Sequence, residues 1–503
     1  MKNVVRLVSM EISNIKNVTY GKIDFSKGRK GSILGIYGQN GSGKTVVVDC
    51  MVLLKSLFSG KKISPQFYHY INLKSGTASV KYCFEMKSQS EESYAEYEIE
   101  LLKTEEPYFC ISKEKLSVRN YVEGKTTKLT PVFEYRRGGK ELFRPLKYSA
   151  YFEKKKNMDN MIALGIARQM TEGRNEEKQR AAVGSFLFSP KAQETFSNTE
   201  GEIQKIFRYS SMLQKYGFYD LSVIENQYSA LLALNLDMIP VNISVPDSAR
   251  SQITGIMLRL TDTNVVSKEL YPYVANTIEQ INIVMKALIP EIQLEIYNDF
   301  DKLMENGKDG IQFEIITVRD DARIPLLYES AGIKKLISIC SNLVACYNQE
   351  SYCLVVDELD SGIYEYLLGE CLEVMQEKAK GQLIFTSHNL RPLEVLENDF
   401  LLYTTVNPEN RYIKSTYIKN TQNTRLSYLR SIKLGGQKEK LYNETNIYEM
   451  ELAMRRAGKT FEPDRQKRPR LPSEALQFLT CYGSSCRCRS PDSRSSRRSF
   501  DRE

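Results

Sequence analysis

A glycine-rich stretch at residues 38–45 combines residue types that bind phosphate. Its sequence, GQNGSGKT, fits the pattern G-x-x-x-x-G-K-[ST] at every fixed position. Glycines let a loop curl so that its N–H groups point at phosphate oxygens, the lysine reaches the terminal phosphates, and the final hydroxyl is a ligand for Mg²⁺. The pattern predicts that a nucleoside triphosphate is bound by Gly38, Asn40, Gly41, Gly43, Lys44 and Thr45.

The segments on either side of this stretch have the character needed to hold it. Residues 32–37 are short and apolar, like a buried strand, and residues 45–58 are long and apolar enough for a helix. The N-terminus of such a helix adds a favourable dipole for an anion. The alternative is a glycine-rich turn that matches by chance, and the flanking strand and helix weigh against it.

Two adjacent acids end a second apolar run. Residues 352–356 have the pattern of a buried strand and are followed by Asp357 and Glu358. Phosphoryl transfer needs positioning and charge neutralisation more than covalent help. We therefore expect Asp357 to hold Mg²⁺ and Glu358 to polarise the attacking water. A strand-ending acidic turn without a chemical role is the alternative, and the phosphate-binding stretch upstream disfavours it.

Two further segments carry groups that suit a phosphate site. His388 follows the buried-strand pattern of residues 382–386, where it can hydrogen-bond the γ-phosphate or the attacking water. The alternative is a histidine at the end of a loop, satisfied by backbone groups. Residues 327–335 open a helix with Ser330 as the candidate N-cap, and the N–H groups near Gly332 make an anion site. Simple helix capping is the alternative for Ser330.

These elements occur in the order found in ABC-type ATPases, and the chain resembles the soluble branch that contains SMC, RecF and the overcoming-lysogenisation-defect group. Residues 14–17 (NIKN) resemble the short N-terminal element of that branch, with Ile15 in place of the usual aromatic residue, which assigns Lys16 to the nucleotide site. Residues 329–332 resemble its signature loop and residues 360–362 its D-loop. The resemblance covers about residues 1–455.

The resemblance implies an ATPase that works as a pair. Two heads meet head-to-tail, ATP and Mg²⁺ on one copy are closed over by Ser330 and Gly332 of the other, and hydrolysis opens the pair. Within the branch, the chain is most similar to ATPases of bacterial anti-phage systems of the Septu, PARIS and Gabija type. The implied catalytic residues are Lys44, Glu358 and His388, and the implied partners are further copies of the chain and a separate effector or nuclease.

Two departures from the family pattern qualify this resemblance. No glutamine can be assigned to the Q-loop, for which Gln66 is the one candidate. Proteins of the overcoming-lysogenisation-defect group usually carry a C-terminal Toprim nuclease. After His388 the sequence has no Glu followed by Asp-x-Asp and no further histidine. If cleavage is the output, we expect a partner chain to perform it.

Three functions fit these motifs. The first is an ATP-hydrolysing regulator of a separate toxic effector in phage defence, the second is a RecF-like ATPase that clamps DNA, and the third is a transporter subunit, which the missing transporter signature disfavours. The formal net charge is +8, but residues 459–503 hold 11 Lys/Arg and 6 Asp/Glu, a balance of +5. The other residues carry 8 − 5 = +3, which predicts no large field for phosphate contacts and leaves nucleic-acid binding open.

The apolar pattern predicts an α/β fold: a P-loop NTPase of the ABC-ATPase head type, with a mixed sheet, an antiparallel β lobe and a helical insertion. The predicted divisions are an N-terminal ATPase lobe (1–150), a helical insertion (151–290), a C-terminal ATPase lobe with signature, acidic strand end and histidine (291–458), and a disordered basic tail (459–503).

Other features bound the location and the metal chemistry. No apolar run reaches the length of a membrane span and the first residues lack the apolar core of a secretion signal, so we expect a cytoplasmic protein without membrane contact. Three cysteines in the tail, Cys481, Cys486 and Cys488, lack a nearby fourth ligand, which disfavours a zinc site.

Overall fold

The structure of the chain is a computed structural model that describes most of its residues. The described residues are 3–25, 32–89, 91–105, 107–122, 125–172, 183–225, 238–246, 251–259, 262–414, 424–434, 439–442 and 446–459. The chain divides into two units, Met1–Tyr442 and Asn443–Glu503. Of the predicted tail (459–503), only Lys459 is among the described residues, and the three cysteines of the tail lie outside them.

The first unit contains both strands and helices, which follow one another in runs of different length. The strands are β1 (Val4–Ile15), β2 (Val18–Asp24), β3 (Ser32–Tyr37), β4 (Thr77–Lys87), β5 (Glu92–Lys103), β6 (Phe109–Val122), β7 (Lys125–Thr126), β8 (Thr130–Arg136), β9 (Leu221–Ile224), β10 (Met238–Pro246), β11 (Ser251–Arg259), β12 (Asn264–Ser267), β13 (Gln293–Leu303), β14 (Asp309–Arg319), β15 (Ala322–Pro325), β16 (Cys353–Val356), β17 (Gln382–Thr386), β18 (Leu401–Thr404) and β19 (Tyr412–Ile413). The helices are α1 (Lys44–Phe58), α2 (Phe67–Tyr70), α3 (Leu146–Phe152), α4 (Met158–Gln169), α5 (Pro190–Ser197), α6 (Gln204–Lys215), α7 (Tyr271–Leu288), α8 (Ala331–Asn348), α9 (Glu365–Lys378), α10 (Pro392–Val395), α11 (Thr424–Leu434) and, in the second unit, α12 (Ile447–Lys459).

A six-stranded sheet forms the centre of the first unit, in the order β19-β18-β3-β17-β16-β9. Its strands run parallel except β19, which pairs antiparallel with β18. Every residue of β3, β16 and β17 is buried, which explains why their sequences are continuous apolar runs without alternation. Because these strands are parallel, their carboxyl ends lie at one edge of the sheet, where ligands bind in α/β folds.

Two hydrophobic cores hold this sheet from its two faces. In β16, Cys353 and Val355 pack into the core shared with α1 and the antiparallel sheet. Leu354 and Val356 pack into the other core, shared with α7, α8 and α9. Successive side chains of a strand point to opposite faces, so a strand covered on both sides must be apolar at every position. The ends of β16 are thereby fixed by packing on both faces.

A second sheet is antiparallel, in the order β2-β1-β4-β5-β6-β7, with β8 beside β6. It is joined to the central sheet by Gln382, the first residue of β17. The Gln382 side chain accepts a hydrogen bond from Leu7 N (2.9 Å) and donates one to Leu7 O (2.8 Å). The turn between β1 and β2 lies beside the P-loop and α1, because Lys16 pairs with Asp49 of α1 and Asn17 contacts Gly41.

A third sheet combines β12, which precedes α7, with β13, β14 and β15, which lie between α7 and α8 in the sequence. Its order is β12-β14-β13, with β15 beside β14, and all its pairings are antiparallel. β15 leads through a short turn into α8. Strands β10 and β11 form a separate hairpin.

The predicted fold class is confirmed, with one correction. Residues 151–290 are not a purely helical insertion, because they contain β9 to β12 as well as helices, and β9 is an edge strand of the central sheet. β9 and β12 have four residues each, and strands this short between longer helical patterns escape a periodicity search that needs a window of 11–18 residues. The predicted division at 150/151 falls inside α3, and the one at 458/459 falls inside α12, whereas the second unit begins at Asn443.

None of the described helices combines the length and the apolar character that crossing a bilayer requires.

A buried carboxylate anchors the segment before α5 to the antiparallel sheet. Glu114, in β6, accepts hydrogen bonds from Tyr97 Oη (2.8 Å), Phe186 N (2.9 Å), Leu187 N (3.3 Å) and the Ser185 hydroxyl. Burial raises the pKa of the Glu114 carboxyl, and these donors act against that effect. Each donor is buried and depends on Glu114 for its acceptor.

Replacing Glu114 with alanine is expected to lower the free energy of unfolding by at least about 3 kcal/mol, because four donors lose their acceptor inside the core. Thermal and urea denaturation would measure the loss. Glu98→Ala is the matched control on the same sheet. It removes a surface pair with Lys113 (2.8 Å) and should cost less than about 1 kcal/mol. Equal losses for the two variants would contradict the anchoring role.

Candidate nucleotide-binding site

The loop between β3 and α1 requires glycine at defined positions. A Cβ at Gly38 would lie 1.7 Å from Thr404 Oγ1, so only glycine permits this close approach to β18. Gly43, the N-cap of α1, has φ +96°, a left-handed conformation that favours glycine. The loop therefore has the curled backbone that the sequence pattern predicts, with α1 beginning directly after it.

Lys44 is the first residue of α1 and lies over this loop. Its Nζ donates to Gly38 O (2.8 Å) and to Gln39 O (3.1 Å). Burial lowers the pKa of the Lys44 ammonium, and nearby carboxylates, Asp357 first among them, act against that effect. A positive charge is thus held where a P-loop lysine contacts terminal phosphates.

A cavity of about 360 Å³ opens beside the loop, a size within the usual range for ligand pockets. It is bounded by the β1–β2 turn, the P-loop with the start of α1, and the carboxyl ends of β16 and β17. The predicted site residues that line it are Lys16, Asn40, Gly41, Gly43, Lys44, Thr45, Asp357, Glu358 and His388.

One threonine holds both acids that follow β16. Thr386 Oγ1 donates to Asp357 Oδ1 (2.5 Å) and accepts a hydrogen bond from Glu358 N (2.7 Å). Asp357 is buried, and Glu358 has φ +48°, a left-handed conformation that is uncommon for residues other than glycine. Such conformations persist only where surrounding contacts impose them, and they cluster at functional sites.

The donor set of the cavity fits Mg²⁺ bound together with phosphates. Asp357 supplies a carboxylate and Thr45 a hydroxyl at the cavity wall, and Mg²⁺ takes oxygen ligands, with one or two carboxylates beside phosphate and water oxygens. Thr386 hydrogen-bonds one oxygen of Asp357 and thereby orients the carboxylate. Residues that hydrogen-bond a metal ligand commonly have this role.

His388 lies in the loop after β17, and Asp360 fixes that loop. Asp360 Oδ2 accepts hydrogen bonds from His388 N (3.2 Å) and Asn389 N (3.0 Å). The imidazole itself is exposed at the cavity wall. Asp360 thereby joins the loop after β16 to the loop after β17, so that Glu358 and His388 share one supporting framework.

The turn between β1 and β2 completes the wall of the cavity. Lys16 Nζ pairs with Asp49 of α1 (2.5 Å) and lies 3.8 Å from the centre of the Tyr70 ring. Burial raises the pKa of Asp49, and the hydrogen bond from Lys16 acts against that effect. Asn17 Nδ2 donates to Gly41 O. The predicted site residue Lys16 therefore reaches the cavity while its charge is paired with α1.

Ser330 and Gly332 are absent from the cavity wall formed by the described residues. Ser330 is exposed and caps α8, its Oγ accepting a hydrogen bond from Ile333 N (3.3 Å). Gly332 packs on the loop after β16, where a Cβ would lie 2.0 Å from Gly362 O. The Q-loop candidate Gln66, which precedes α2, does not line the cavity either.

Glu329 anchors the signature loop to the third sheet. Its carboxylate accepts two hydrogen bonds from Arg319, at 2.7 and 3.1 Å, and one from Thr317 Oγ1 (2.8 Å). Burial would raise the pKa of Glu329, but the hydrogen bonds from Arg319 and Thr317 outweigh it and the pKa is lowered. The carboxylate is therefore held in its charged form. Because Glu329 is fixed to the third sheet, the exposed turn at Ser330, which follows it, is held in position.

Three residues near the cavity were missed by sequence reasoning: Asn17, Thr386 and Glu225. Glu225 directly follows β9, next to the strand end that carries Asp357, whose N donates to Ile224 O (2.9 Å). Burial raises the pKa of Glu225, and the charges of Asp49 and Asp357 add to this. The signal that could have found these residues is their position relative to a strand: Thr386 ends β17, Glu225 directly follows β9, and Asn17 lies in the turn directly before β2.

The part of the chain that contains the P-loop matches a known family model. Residues 9–239 match the model described as AAA domain. This stretch holds the P-loop and α1 and is less than half of the 503 residues. The chain is an ATP-hydrolysing P-loop enzyme. A comparison of this ATPase with curated proteins found no match.

Solved SMC heads are similar to this ATPase at low identity. The SMC head domain from Thermotoga maritima is 15% identical, with 82% of this chain and 99% of that chain covered and a TM-score of 0.34. An Smc head with an extended coiled coil bound to the C-terminal domain of ScpA, derived from Pyrococcus furiosus, is 11% identical. The match covers 85% of this chain and 100% of that chain, with a TM-score of 0.36. An SmcHead bound to the C-winged helix domain of ScpA is 10% identical, with 82% of this chain and 98% of that chain covered and a TM-score of 0.34.

Lys44→Ala is expected to weaken ATP binding by at least about tenfold and to abolish hydrolysis, because the loop loses the charge that contacts the terminal phosphates. Equilibrium titration with a fluorescent ATP analogue and a phosphate-release assay would measure the two effects, with circular dichroism as the check on folding. Hydrolysis at the wild-type rate would reject the P-loop assignment.

Thr386→Val keeps the shape of the side chain but removes the hydroxyl that orients Asp357. We expect kcat to fall about 10- to 100-fold and the Mg²⁺ requirement to rise, as for outer partners of metal ligands. Hydrolysis measured over a MgCl₂ titration would show both. Thr386→Ser, which keeps the hydroxyl, is the control and should stay close to wild type. A valine variant with the wild-type Mg²⁺ dependence would exclude this role.

Proposed function

We propose that this ATPase is a nucleotide-driven switch that regulates or scaffolds a separate effector, a nuclease, in anti-phage defence. Two copies pair head-to-tail, each closing over the ATP and Mg²⁺ of the other. Bound nucleotide favours the paired state, and hydrolysis favours separation, because a ligand shifts an equilibrium by its differential affinity for the two states.

The position of Ser330 is the observation that carries this proposal. The cavity holds the P-loop and both acids, whereas Ser330 lies exposed at the N-terminus of the 18-residue helix α8, away from the cavity wall. A helix N-terminus with free N–H groups favours an anion. A two-fold pair is self-complementary, so one contact between α8 and the cavity generates a second identical one. The nucleotide then lies between both surfaces.

Each residue of the closed site has a separate task. Lys44 contacts the terminal phosphates, and Ser330 and Gly332 of the other copy present N–H and hydroxyl donors from the opposite side. Asp357 and Thr45 hold Mg²⁺, which when bound neutralises charge on the phosphate oxygens. The carboxylate of Glu358 orients the attacking water and takes its proton.

His388 completes the set by donating a hydrogen bond to the γ-phosphate or to the water. Hydrogen bonds aimed at the charge that develops in the transition state are worth most where water is excluded. Closure of the pair supplies that exclusion, because the open cavity of one copy is covered by the other. Hydrolysis is therefore expected to depend on pairing.

Two observations support a separate effector over direct action on DNA. After His388 the sequence has neither a Glu followed by Asp-x-Asp, as a Toprim nuclease needs, nor a further histidine, and outside residues 459–503 the formal charge is only +3. Phosphate contacts by Lys and Arg dominate DNA affinity, and a nearly neutral body offers few of them. A RecF-like or SMC-like DNA clamp is the competing function.

Glu358→Gln and Ser330→Arg test the switch from its two sides. Glu358→Gln should bind ATP, lose hydrolysis by about 100-fold or more, and accumulate pairs in native mass spectrometry with ATP and Mg²⁺.

Ser330→Arg should bind ATP but stay unpaired, so that its specific activity no longer rises with protein concentration. Ser197→Arg, at an exposed serine of α5, controls for the added charge.

Some outcomes would reject the proposal. Normal turnover by Glu358→Gln would exclude Glu358 as the base. Wild-type pairing and activity of Ser330→Arg would exclude the shared pocket. DNA affinity that falls steeply with salt, without a co-purifying effector, would favour the DNA clamp instead.

A further inference from the structure

A buried lysine joins helix α8 to the loop that carries the proposed catalytic carboxylate. Lys335 lies in the second turn of α8 and is 4% exposed. Its Nζ donates to the backbone carbonyl of Glu358 at 2.6 Å. The contact of Gly332 with Gly362, which leaves no room for a Cβ, ties the same end of α8 to the same loop.

The carbonyl that Lys335 contacts belongs to a constrained residue. Glu358 has φ +48°, and its carbonyl also accepts a hydrogen bond from Ser361 N (3.0 Å). Its own N–H is held by Thr386 (2.7 Å). The peptide groups on both sides of Glu358 are therefore fixed, and the backbone conformation restricts the direction in which the side chain projects. Lys335 is the one of these three partners that comes from α8.

Burying an ammonium group in this place is costly. Burial lowers the pKa of Lys335 to about 8, and the carboxylates of Asp360, Glu358 and Asp357 act against that effect. A residue that only filled the core would be apolar, since an ionised group loses its hydration on burial. Asp360 Oδ1 is also buried and has no hydrogen-bond partner among the described residues. The positive charge of Lys335 thus offsets the negative charges of Asp357, Glu358 and Asp360 next to the cavity.

We propose that Lys335 is a positioning residue for hydrolysis, which acts through the Glu358 carbonyl and couples helix α8 to the carboxylate that activates water. When the N-terminus of α8 engages the nucleotide of the other copy, any displacement of the helix is passed to Glu358 through this bond and through the Gly332–Gly362 contact. The idea deepens the proposed function, and it rests on that function for the catalytic role of Glu358.

Lys335→Met tests the coupling, because methionine keeps much of the side-chain length and removes the donor. We expect kcat to fall about 10- to 100-fold while KM and the affinity for ATP stay within about twofold, the pattern of a lost transition-state interaction. Lys55→Met is the matched control. Lys55 is a half-buried lysine of α1 whose pKa burial also lowers to about 8, and its loss should leave kcat near wild type.

A double-mutant cycle separates positioning from general stability. In a Glu358→Gln background, Lys335→Met should add little further loss, because the group that it positions is already absent. An additive loss, or an equal fall of kcat in Lys55→Met, would overturn the proposal. If Glu358→Gln alone hydrolyses ATP at the wild-type rate, the proposed function fails, and this outcome is distinct from failure of the lysine.

Hydrogen exchange of the nucleotide-free protein gives a readout that does not depend on activity. Peptides covering residues 357–362 should exchange faster in Lys335→Met, because the loop loses the bond that ties the Glu358 carbonyl, the acceptor of the Ser361 amide, to α8 and therefore opens more easily. Peptides of the antiparallel sheet should exchange as in wild type. Unchanged exchange at residues 357–362 would overturn the proposal even if the variant were inactive.

Discussion

The carboxyl ends of three parallel strands meet at one edge of the central sheet, and every other feature of the site depends on that convergence. β3 delivers the P-loop, β16 delivers Asp357 and Glu358, and β17 delivers Thr386 and His388. The strands reach this edge in fixed register because all their residues are buried, with the side chains of β16 divided between two cores. Burying apolar surface contributes a free energy of about 25 cal/mol per Å². This contribution stabilises the strands, and the strands hold the polar groups at their ends in place.

Much of this edge could be predicted from the sequence, because a strand covered on both faces is a continuous apolar run and the residue after it is easily read. For that reason the P-loop, Asp357, Glu358 and His388 could be predicted. The cavity wall includes residues 40, 41 and 43–45 of the P-loop together with Asp357, Glu358 and His388, whereas Gly38 is not part of it. β9 was missed because four residues after a helical segment carry too little periodicity. The neighbours Glu225 and Thr386 were missed because their roles depend on the strand order β3-β17-β16-β9, which differs from the order in the chain.

The loop after β16 connects the nucleotide cavity to helix α8. A left-handed residue other than glycine costs about 1–3 kcal/mol. At Glu358 the hydrogen bond that its N–H donates to Thr386, and those that its carbonyl accepts from Ser361 and Lys335, offset this cost. Two of these partners belong to the central sheet and its loops, and the third belongs to α8. Strain at the proposed catalytic residue is therefore maintained jointly by the nucleotide cavity and by the helix whose exposed end is capped by Ser330.

The central claim is that the pocket is shared between two copies, and a mixing experiment tests it most directly. Lys44→Ala copies keep an intact Ser330, and Ser330→Arg copies keep an intact P-loop, so a mixed pair contains one complete pocket if the two halves come from different copies. The account predicts that the mixture regains ATP hydrolysis that neither variant shows alone, and that the regained rate rises with protein concentration. A mixture that stays as inactive as its components, although both variants are folded, would contradict the account.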